Sequence, residues 1–401
     1  MREARLTVLV LPSSTRSAPW ACRSLSRAGF RVVGANHEPG RLVGRSLYCL
    51  TPRRCRSPLD DPGAFVDDLR QLCARERVGA VLPLDEAATQ LLTYHGGLLD
   101  GIAVCAPTVE QFDAVCDKVR LARTAAGVGI GSPSHTVVSG DTLEGEWPPL
   151  PCIVKPACTS TLTSHRIVYR TASVAYTAEE RDALVREMVA ATGSALVEER
   201  VLGRAWRVHF VRGRHGFRSR TIETLRSCPP DAGLSSIQRV TAPTPGLVDS
   251  AEALLAAIDY RGIGSVQFLQ DGGRLLVHDI NLRMPATAAI AIKSGLDLPR
   301  LAVAEAVEAA QLVPAEPVRR VTYVWLEGEL RNASSAPGEG SRDAARLLGA
   351  ALRRDHVLDP SDPLQLVSAV AAAARARSQR RREAAGAAHA APPRAPAGSL
   401  P

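Results

Sequence analysis

The first hundred residues alternate between short apolar runs and stretches in which apolar residues recur at helical spacing. Runs that are nearly free of polar residues are typical of strands buried on both faces. The apolar runs are residues 5–12, 30–36, 78–84 and 102–107. The helical stretches are residues 18–28, 64–77 and 85–94. Strands that alternate with helices in this way predict an open, largely parallel sheet covered by helices.

The pattern changes after residue 107. Residues 108–126 have helical periodicity, with Thr108 as the cap and Glu110 near the start. The strands predicted beyond them are residues 150–157, 166–172, 195–203, 205–213 and 216–224. The predicted helices are residues 177–191, which Gly193 ends, and residues 248–258. Residues 227–245 contain two consecutive prolines and are predicted to be irregular, which for so long a loop is often a sign of function.

A β-hairpin is the clearest local feature of the second half of the chain. The β-forming run Ser265–Gln270 is followed by turn residues at 271–273, and a second run returns over Arg274–Asn281. If the loop has three residues, Gln267 lies opposite Val277 in the register of the two strands. The Gln267 amide would then lie on the face that carries the polar residues of the second strand.

Polar side chains are concentrated on that face of the hairpin. Side chains alternate along a strand, so Asp279 and Asn281 share one face, and Arg283 follows just beyond the strand. Oxygen atoms of Gln267, Asp279 and Asn281 would converge there, and Mg²⁺ prefers oxygen ligands. A simpler interpretation makes Asp279 and Asn281 cap or turn residues at a strand end. The hairpin by itself leaves both interpretations open.

The last part of the chain changes in composition. Helices are predicted at residues 286–293 and 298–310, and the small segment 311–375 carries a strand at 318–330 with helices at 342–353 and 364–374. Residues 376–401 are arginine, alanine and proline with almost no large apolar side chain, which predicts disorder. A length of 401 residues suits two or three domains.

Composition excludes several classes of protein. Hydrophobic residues at 45% and charged residues at 22% are typical of a globular protein with an ample core. The nine cysteines form no CxxC pair, which argues against a zinc site or a disulfide framework and favours reduced thiols. No apolar run is long enough to span a bilayer, and the N-terminus lacks the pattern of a signal peptide, so we expect a cytoplasmic protein.

The net charge of +8 is weak evidence for a nucleic-acid partner. Much of the excess lies in the arginine-rich tail, and no aromatic–basic platform or reader motif accompanies it. No GxGxxG motif follows the first strand, so a dinucleotide site is not indicated either. Asp85 and Glu86 begin a helix just past the carboxyl end of a strand, where ligands often bind. For Glu86 the favoured interpretation is an acidic residue at a helix N-terminus.

Lysine is scarce in this sequence. Only Lys118, Lys155 and Lys293 occur among the 49 basic residues, and all the others are arginine. Where arginine serves almost every cationic role, a lysine marks a position that requires a compact and flexible ammonium, such as a phosphate site. Lys155 also lies in an apolar strand, where burying its charge requires a partner, and a phosphate is a natural one.

A helix lysine, a strand lysine, an acidic strand and a polar hairpin occur in an order that resembles the ATP-grasp superfamily, in particular its carboxylate–amine ligases. The sequences VQF and DINLR look closest to the hairpin of the carbamoyl-phosphate-synthase large subunit. The resemblance covers about three quarters of the chain. It implies an N-terminal open parallel α/β domain over residues 1–107, of the kind that precedes ATP-grasp domains. A two-subdomain ATP-grasp fold would follow over residues 108–310, divided into 108–200 and 201–310, before the small α/β segment and the tail.

The resemblance also assigns roles to individual residues. Lys118 and Lys155 would contact nucleotide phosphates, and the hinge with Glu198, Glu199 and Val201 would bind adenine. The implied ligands of Mg²⁺, or Mn²⁺, are Gln267, Asp279 and Asn281. Arg283 would face the transferred phosphoryl group, and Lys293 matches a catalytic lysine in segments of the type S-K-x-T-G-x-P.

These roles imply an ADP-forming ligase that converts a carboxylate to an acyl phosphate and then to an amide, on a small amino-acid-like substrate. The sequence departs from the pattern in three places. The hairpin offers one carboxylate, the loop after Lys155 lacks glycines, and Ala205 and Trp206 stand where an acid would hold the ribose. A nucleotide-binding sensor or scaffold without turnover therefore stays open as an alternative, with a nucleic-acid binder a distant third. No membrane partner is expected, and a homodimer stays open.

Overall fold

The computed structural model describes the protein over most of its first 325 residues. The described residues are 5–12, 15–37, 47–49, 53–140, 146–163, 166–214, 216–228, 234–308, 316–325, 328, 329 and 332. The helices predicted at 342–353 and 364–374 and the predicted tail 376–401 lie outside this part of the chain. Within it, no helix is long and apolar enough to cross a membrane.

The N-terminal region is a parallel sheet with helices, as the alternation of patterns predicted. Its strands are β1 (Thr7–Leu11), β2 (Arg31–Asn36), β3 (Arg53–Arg54), β4 (Val78–Pro83) and β5 (Ala103–Val104), in the order β3-β2-β1-β4-β5. Its helices are α1 (Ala18–Arg27), α2 (Pro62–Glu76) and α3 (Glu86–His95). Along the central strand β1, Val8 and Val10 pack into one apolar cluster while Leu9 and Leu11 pack into another. Both faces of the sheet are thus covered, which explains the continuous apolar run of this strand.

The helix predicted at 108–126 is in fact two helices, α4 (Val109–Cys116) and α5 (Lys118–Gly127). Asp117 separates them, because its backbone is extended and its carboxylate accepts hydrogen bonds from the N–H groups of Val119 at 2.8 Å and Arg120 at 3.2 Å. Asp117 is therefore an N-cap inside the apolar periodicity. The break places Lys118 at the first position of α5.

A four-stranded antiparallel sheet forms the next layer. Its strands are β6 (His135–Ser139), β7 (Cys152–Pro156), β10 (Ser173–Ala175) and β11 (Ser194–Glu199), in the order β10-β7-β11-β6, and a separate pair comprises β8 (Ser160–Leu162) and β9 (Ile167–Tyr169). Helix α6 (Ala178–Thr192) packs on the sheet and ends at Gly193, whose φ of 83° suits glycine. The prediction for this helix was correct within one or two residues.

A six-stranded antiparallel sheet forms the largest layer. Its strands are β12 (Arg204–Gly213), β13 (Gly216–Cys228), β14 (Leu234–Val240), β15 (Gly262–Asp271), β16 (Arg274–Asn281) and β17 (Thr322–Val324), in the order β16-β15-β12-β13-β14-β17. Its helices are α7 (Pro245–Ala257), α8 (Ala288–Lys293) and α9 (Leu298–Ala306). The prediction of an irregular segment over 227–245 was wrong for β14. Polar residues such as Ser235, Ser236 and Gln238 are buried in that strand and conceal its alternation.

The register of the β15–β16 hairpin differs from the predicted one in two compensating ways. The turn has two residues, Gly272 and Gly273, because Asp271 pairs with Arg274. A bulge then shifts the register between Gln267 and Phe268, so Gln267 lies opposite Asp279 and not Val277. Without the bulge, the shorter turn would have set Gln267 opposite His278. The bulge keeps the amide and the carboxylate on one face.

The parallel sheet and the six-stranded sheet share an apolar core. Val8 and Val10 of β1 belong to the same cluster as Met284, Ala288 of α8 and Leu301 of α9. This packing places the carboxyl end of β4, where Asp85 and Glu86 begin α3, near the end of the hairpin. The N-terminal region therefore contributes side chains to the site described next.

Candidate functional site

A cleft of about 600 Å³ lies between the four-stranded and the six-stranded sheet. Its walls come from β7 and β11 on one side, from β12, β15 and β16 on the other, and from the connection at residues 200–203 between them. Eight of the predicted site residues line it: Lys155, Glu198, Glu199, Val201, Gln267, Asp279, Asn281 and Arg283. Lys118 reaches it through Asp279.

Lys155 and Glu198 form an ion pair on the first wall. In the register of β7 and β11, Leu196 pairs with Lys155 and Glu198 pairs with Ile153, so the two charged residues are diagonal neighbours. Their side chains are 11% and 9% exposed, so neither charge is well solvated. Glu198 therefore acts as the counter-ion of the strand lysine, the partner that its burial required.

The hinge between the two sheets is held by Glu199. Its carboxylate accepts hydrogen bonds from the Ser134 N–H at 3.0 Å and from Arg274 Nη1 at 3.3 Å. Arg274 belongs to β16, so this contact connects the hinge strand to the hairpin. Val201 and Leu202 follow along the cleft, and Leu202 is strongly exposed. An exposed leucine side chain in the lining of a cleft is suited to packing against a flat, apolar group.

Asp279 is the centre of the second wall. Its Oδ1 accepts from Lys118 Nζ, and its Oδ2 accepts from Gln267 Nε2 at 2.8 Å and from Asn281 Nδ2 at 2.6 Å. Burial alone would raise the pKa of Asp279, but the Lys118 ammonium outweighs it, and the pKa lies well below its usual range. Burial likewise opposes the charged form of Lys118, yet Asp279 raises its pKa above the ordinary value. Both partners are charged.

Arg207 lies beside this cluster and was not predicted. It pairs with Gln267 in the register of β12 and β15, and its Nη1 donates to Gln267 Oε1. Because a guanidinium has only donors, the oxygen of Gln267 must face Arg207, and its nitrogen then faces Asp279. Burial is the largest influence on the Arg207 guanidinium and lowers its pKa to about 10.

The orientation of the donor groups on the hairpin decides whether they can hold Mg²⁺. Asp279 offers a carboxylate and Asn281 an amide oxygen, which suit one hard divalent cation. Gln267 does not present its oxygen toward them, since Arg207 holds it. Among the described residues, no group of three His, Cys, Asp or Glu side chains could hold a metal ion. Asn281 also presents its nitrogen to Asp279, but no hydrogen bond among the described residues holds its oxygen. Once that amide turns over, the residues fit a single cation on Asp279 and Asn281.

Arg283 connects the hairpin to the N-terminal region. Its Nη2 lies 3.5 Å from Glu86 Oε2, and Glu86 Oε1 accepts from Ser160 Oγ at 3.0 Å. Asp85, not Glu86, caps α3, accepting from the Ala88 N–H at 2.8 Å. The interpretation of Glu86 as only a helix N-terminal acid misses these contacts, because it could not foresee Arg283 from 197 residues away.

Two further polar residues line the cleft, and each has one buried side-chain atom without a hydrogen-bond partner among the described residues. His209 Nδ1 and Ser265 Oγ are buried and have no hydrogen-bond partner within the described part of the chain, although both residues line the cleft. His209 Nε2 lies 3.5 Å from Thr287 Oγ1. Burial, together with the charge of Arg207, lowers the pKa of His209 to about 3, so the imidazole is neutral near pH 7. These atoms can receive groups of a bound ligand.

Strand alternation was the signal that could have identified Arg207 and His209. Residues 205–213 were predicted as a strand, and Val208 and Phe210 on one face are completely buried. Arg207 and His209 therefore had to share the other face with Ala205. Their two polar side chains on the face opposite the core marked a second polar wall.

Lys293 is the one predicted site residue that lies apart from the others. It ends α8 and lines a second depression of about 550 Å³, formed with α1, α9 and residues near 316–319. Its ammonium lies 5.1 Å from the ring centroid of Trp20, a cation–π distance. The structure therefore brings nine of the ten predicted residues together and leaves Lys293 outside the cleft.

Known proteins were compared with the chain at the levels of sequence and structure. No protein-family model and no curated protein sequence matches it. Among solved structures, an L-amino acid ligase from Bacillus licheniformis has a TM-score of 0.58 at 14% identity, with 80% of each chain covered. N5-carboxyaminoimidazole ribonucleotide synthetase from Thermus thermophilus has a TM-score of 0.58 at 17% identity, covering 79% of this chain and 82% of that one.

A third solved structure is that of a biotin carboxylase domain in complex with MgADP, ADP and bicarbonate. It belongs to the 2-oxoglutarate carboxylase of Hydrogenobacter thermophilus and has a TM-score of 0.61 at 14% identity, covering 79% of this chain and 72% of that one. At such low identities, the similarity is one of fold. It agrees with the order of sheets described above and with the resemblance found in the sequence. The chain has the fold of the ATP-grasp superfamily.

Proposed function

We propose that the protein is an ATP-dependent, ADP-forming ligase that joins a carboxylate to an amine through an acyl phosphate. The observation that carries the proposal is the convergence of Lys118, Lys155, Asp279 and Arg283 on one cleft of an ATP-grasp fold. The similarity to an L-amino acid ligase supports a small amino-acid-like substrate. The identity of the carboxylate and of the amine is set by the part of the cleft beyond the phosphates.

The nucleotide is proposed to enter with its base at the hinge and its phosphates between the two ion pairs. Backbone groups from Glu199 to Val201 would bind adenine beside the exposed Leu202. Lys155 and Lys118 would turn from Glu198 and Asp279 to phosphate oxygens, exchanging one anionic partner for another. Such an exchange keeps each ammonium paired, so it avoids the large cost of an isolated buried charge.

Phosphoryl transfer requires positioning and neutralisation of charge more than a reactive side chain. Mg²⁺ or Mn²⁺ bound on Asp279 and Asn281 would neutralise negative charge on the terminal phosphates. Arg283 would donate two N–H groups to the phosphoryl oxygens, with its largest effect as the bond to ADP breaks. Glu86 would hold Arg283 in place until the nucleotide arrives.

The proposed reaction has two steps. An oxygen of the substrate carboxylate attacks the γ-phosphorus, the bond from that phosphorus to the bridging oxygen breaks, and ADP leaves with the electron pair. The amine then attacks the acyl carbon, phosphate departs, and the amine nitrogen loses a proton to give the amide.

A second candidate is a nucleotide-binding protein without turnover. Ala205 lines the cleft where the sequence pattern calls for an acid to hold the ribose hydroxyls, and this favours weak nucleotide binding. Such a protein would serve as a sensor or scaffold. It would be stabilised thermally by ATP, yet it would release no ADP with any carboxylate and amine.

The test is ADP release with a panel of amino acids, measured by a coupled assay. We expect Lys155→Ala to abolish release, and Arg283→Lys to reduce turnover about 10²- to 10³-fold with nucleotide binding retained, since a phosphoryl-transfer donor acts mainly in the transition state. Arg239→Ala is the matched control, because Arg239 forms a 2.6 Å ion pair with Glu223 on the same sheet but outside the cleft. Equal ADP release by all four proteins would refute the proposed mechanism.

A further inference from the structure

Of the four cations Lys118, Lys155, Arg207 and Arg283, Arg207 alone has no carboxylate partner within the described part of the chain. Lys118 is paired with Asp279, Lys155 with Glu198, and Arg283 with Glu86. The guanidinium of Arg207 instead donates to the amide oxygen of Gln267, and its Nε is buried without a hydrogen-bond partner among the described residues.

The position of Arg207 is fixed by the sheet. It lies in the middle of β12, with Gln267 of β15 as its register partner, and its own strand neighbours Trp206 and Val208 are buried on the opposite face. A residue held by a central strand is more precisely placed than one on a loop. Its charge is therefore a permanent feature of this wall, beside Gln267 on the side away from Asp279.

This charge conflicts with a cation bound jointly by Gln267 and Asp279. Such a cation needs the Gln267 oxygen, which Arg207 occupies, and it would lie against a guanidinium that cannot lose its proton at neutral pH. A phosphate oxygen in the same place would meet the unpartnered Nε and two charged walls. The surroundings of Arg207 thus suit an anion and disfavour a metal ion.

We propose that Arg207 binds the terminal phosphates of the nucleotide directly and supplies built-in positive charge there, so that nucleotide binding depends only weakly on a divalent cation. The inference rests on the proposed function, because it assumes that the cleft takes a nucleoside di- or triphosphate. It goes further in assigning a protein side chain to a neutralising role. Mg²⁺ on Asp279 and Asn281 would then assist transfer more than binding.

The experiment is calorimetric titration of the full-length protein with ADP, in excess Mg²⁺ and in EDTA. For the wild type we expect the affinity for ADP to fall less than about tenfold in EDTA. In Arg207→Gln, loss of a charge-assisted contact should weaken ADP about 10- to 100-fold in EDTA, with Mg²⁺ recovering most of the loss. Arg207→Lys, which keeps the charge and loses the planar fork, should fall between these two.

Controls separate a phosphate contact from a structural role. Arg204→Gln changes an exposed arginine on the other face of the same strand and should leave ADP binding as in the wild type. Adenosine, which has no phosphate, should bind the wild type and Arg207→Gln equally. A loss of adenosine binding in the variant would overturn the phosphate role.

The outcomes also separate the inference from the function on which it rests. If the wild type binds ADP in Mg²⁺ but loses more than about a hundredfold in EDTA, the inference is overturned and the proposed function stands. If it binds no ADP even with Mg²⁺, the proposed function itself fails. If Arg207→Gln does not fold, the wild-type comparison can still overturn the inference, and Arg207→Lys still tests the contact of the guanidinium with phosphate.

Discussion

The cleft and the second depression are similar in volume and both are rich in cations, yet they hold these cations differently. In the cleft, Lys155 and Arg283 lie on or beside strands, with side chains 11% and 19% exposed and carboxylates beside them. In the depression, the cations are mostly arginines on helices, and Arg319 is 66% exposed. Lys293 is there with its ammonium over the ring of Trp20.

The contrast shows what distinguishes a candidate ligand site from a charged surface. Exposed ion pairs are worth little and form wherever long side chains meet. Buried charges carry a large desolvation cost, so their partners are fixed by the fold, and a ligand can exchange with those partners. The cleft is therefore distinguished as the candidate site by buried charges whose partners the fold fixes, more than by the number of its cations.

The largest expected effect comes from removing the carboxylate that pairs with Lys118. Asp279→Ala should abolish ADP release and lower the free energy of unfolding by about 3 kcal/mol or more, because it leaves a buried ammonium without its partner. Urea denaturation and the ADP assay measure the two effects. The matched control is Asp271→Ala, at the exposed turn of the same hairpin, where the pair with Arg274 should contribute less than about 1 kcal/mol.

A stability loss as small as that of Asp271→Ala would contradict the contrast between buried and exposed pairs. Loss of stability with full ADP release would separate the two roles of Asp279. It would keep the ion pair as a structural element while removing Asp279 from the proposed metal and phosphate site.

The second-largest expected effect is a dependence of the free energy of unfolding on pH. The pKa of His209 is lowered to about 3 in the folded protein, against about 6.5 when unfolded. Between these values the unfolded chain binds the extra proton, so the contribution of His209 is present above about pH 6.5 and is lost as pH falls. The slope is at most about 1.4 kcal/mol per pH unit for this one group.

Urea unfolding at several pH values between about 4 and 7 measures this slope. His209→Gln should flatten it, because glutamine does not titrate. His278, whose pKa burial also lowers to about 3, offers a parallel variant that should flatten it by a similar amount. If the pH dependence of the unfolding free energy is unchanged in both variants, these histidines are protonated in the folded cleft. That result would contradict the burial that lowers their pKa values.

The sequence predicted the parts of this site that depend on local patterns. Asp279 and Asn281 share a face because strands alternate. The scarcity of lysine singled out Lys118 and Lys155, and the structure places both in buried ion pairs. What it did not predict is set by contacts between distant residues. The bulge at Gln267, the burial of polar β14 and the contact of Glu86 with Arg283 depend on packing that no local window contains.

Arg207 was missed for a different reason. The alternation of β12 was visible, but the charge of an arginine in an arginine-rich chain carried little information by itself. Arg207 becomes a candidate site residue because Gln267 is its register partner. That pairing depends on the strand order of the sheet, which the sequence does not show. Composition therefore pointed to the lysines and not to Arg207, which lies beside Gln267.

The smallest effect is expected at Lys293. Scarcity of lysine predicts that Lys293→Arg reduces turnover, since a helix-end cation would otherwise be arginine. The structure favours the opposite result, because α8 begins beside the cleft after Thr287 and carries Lys293 to the depression on its far side. An arginine also packs well over an indole ring, so the contact with Trp20 would persist.

We therefore expect Lys293→Arg to change turnover and melting temperature little, with Arg283→Lys in the same assay as the contrasting variant. Trp20→Leu, which removes the ring under the ammonium, should lower stability by at most a few kcal/mol and leave ADP affinity unchanged. A large fall in turnover for Lys293→Arg with an unchanged melting temperature would return this lysine to the catalytic set. The Lys293 ammonium lies over Trp20, on the side of α8 away from the proposed phosphate region. Such a result would therefore also mean that a change in the depression alters the cleft during turnover.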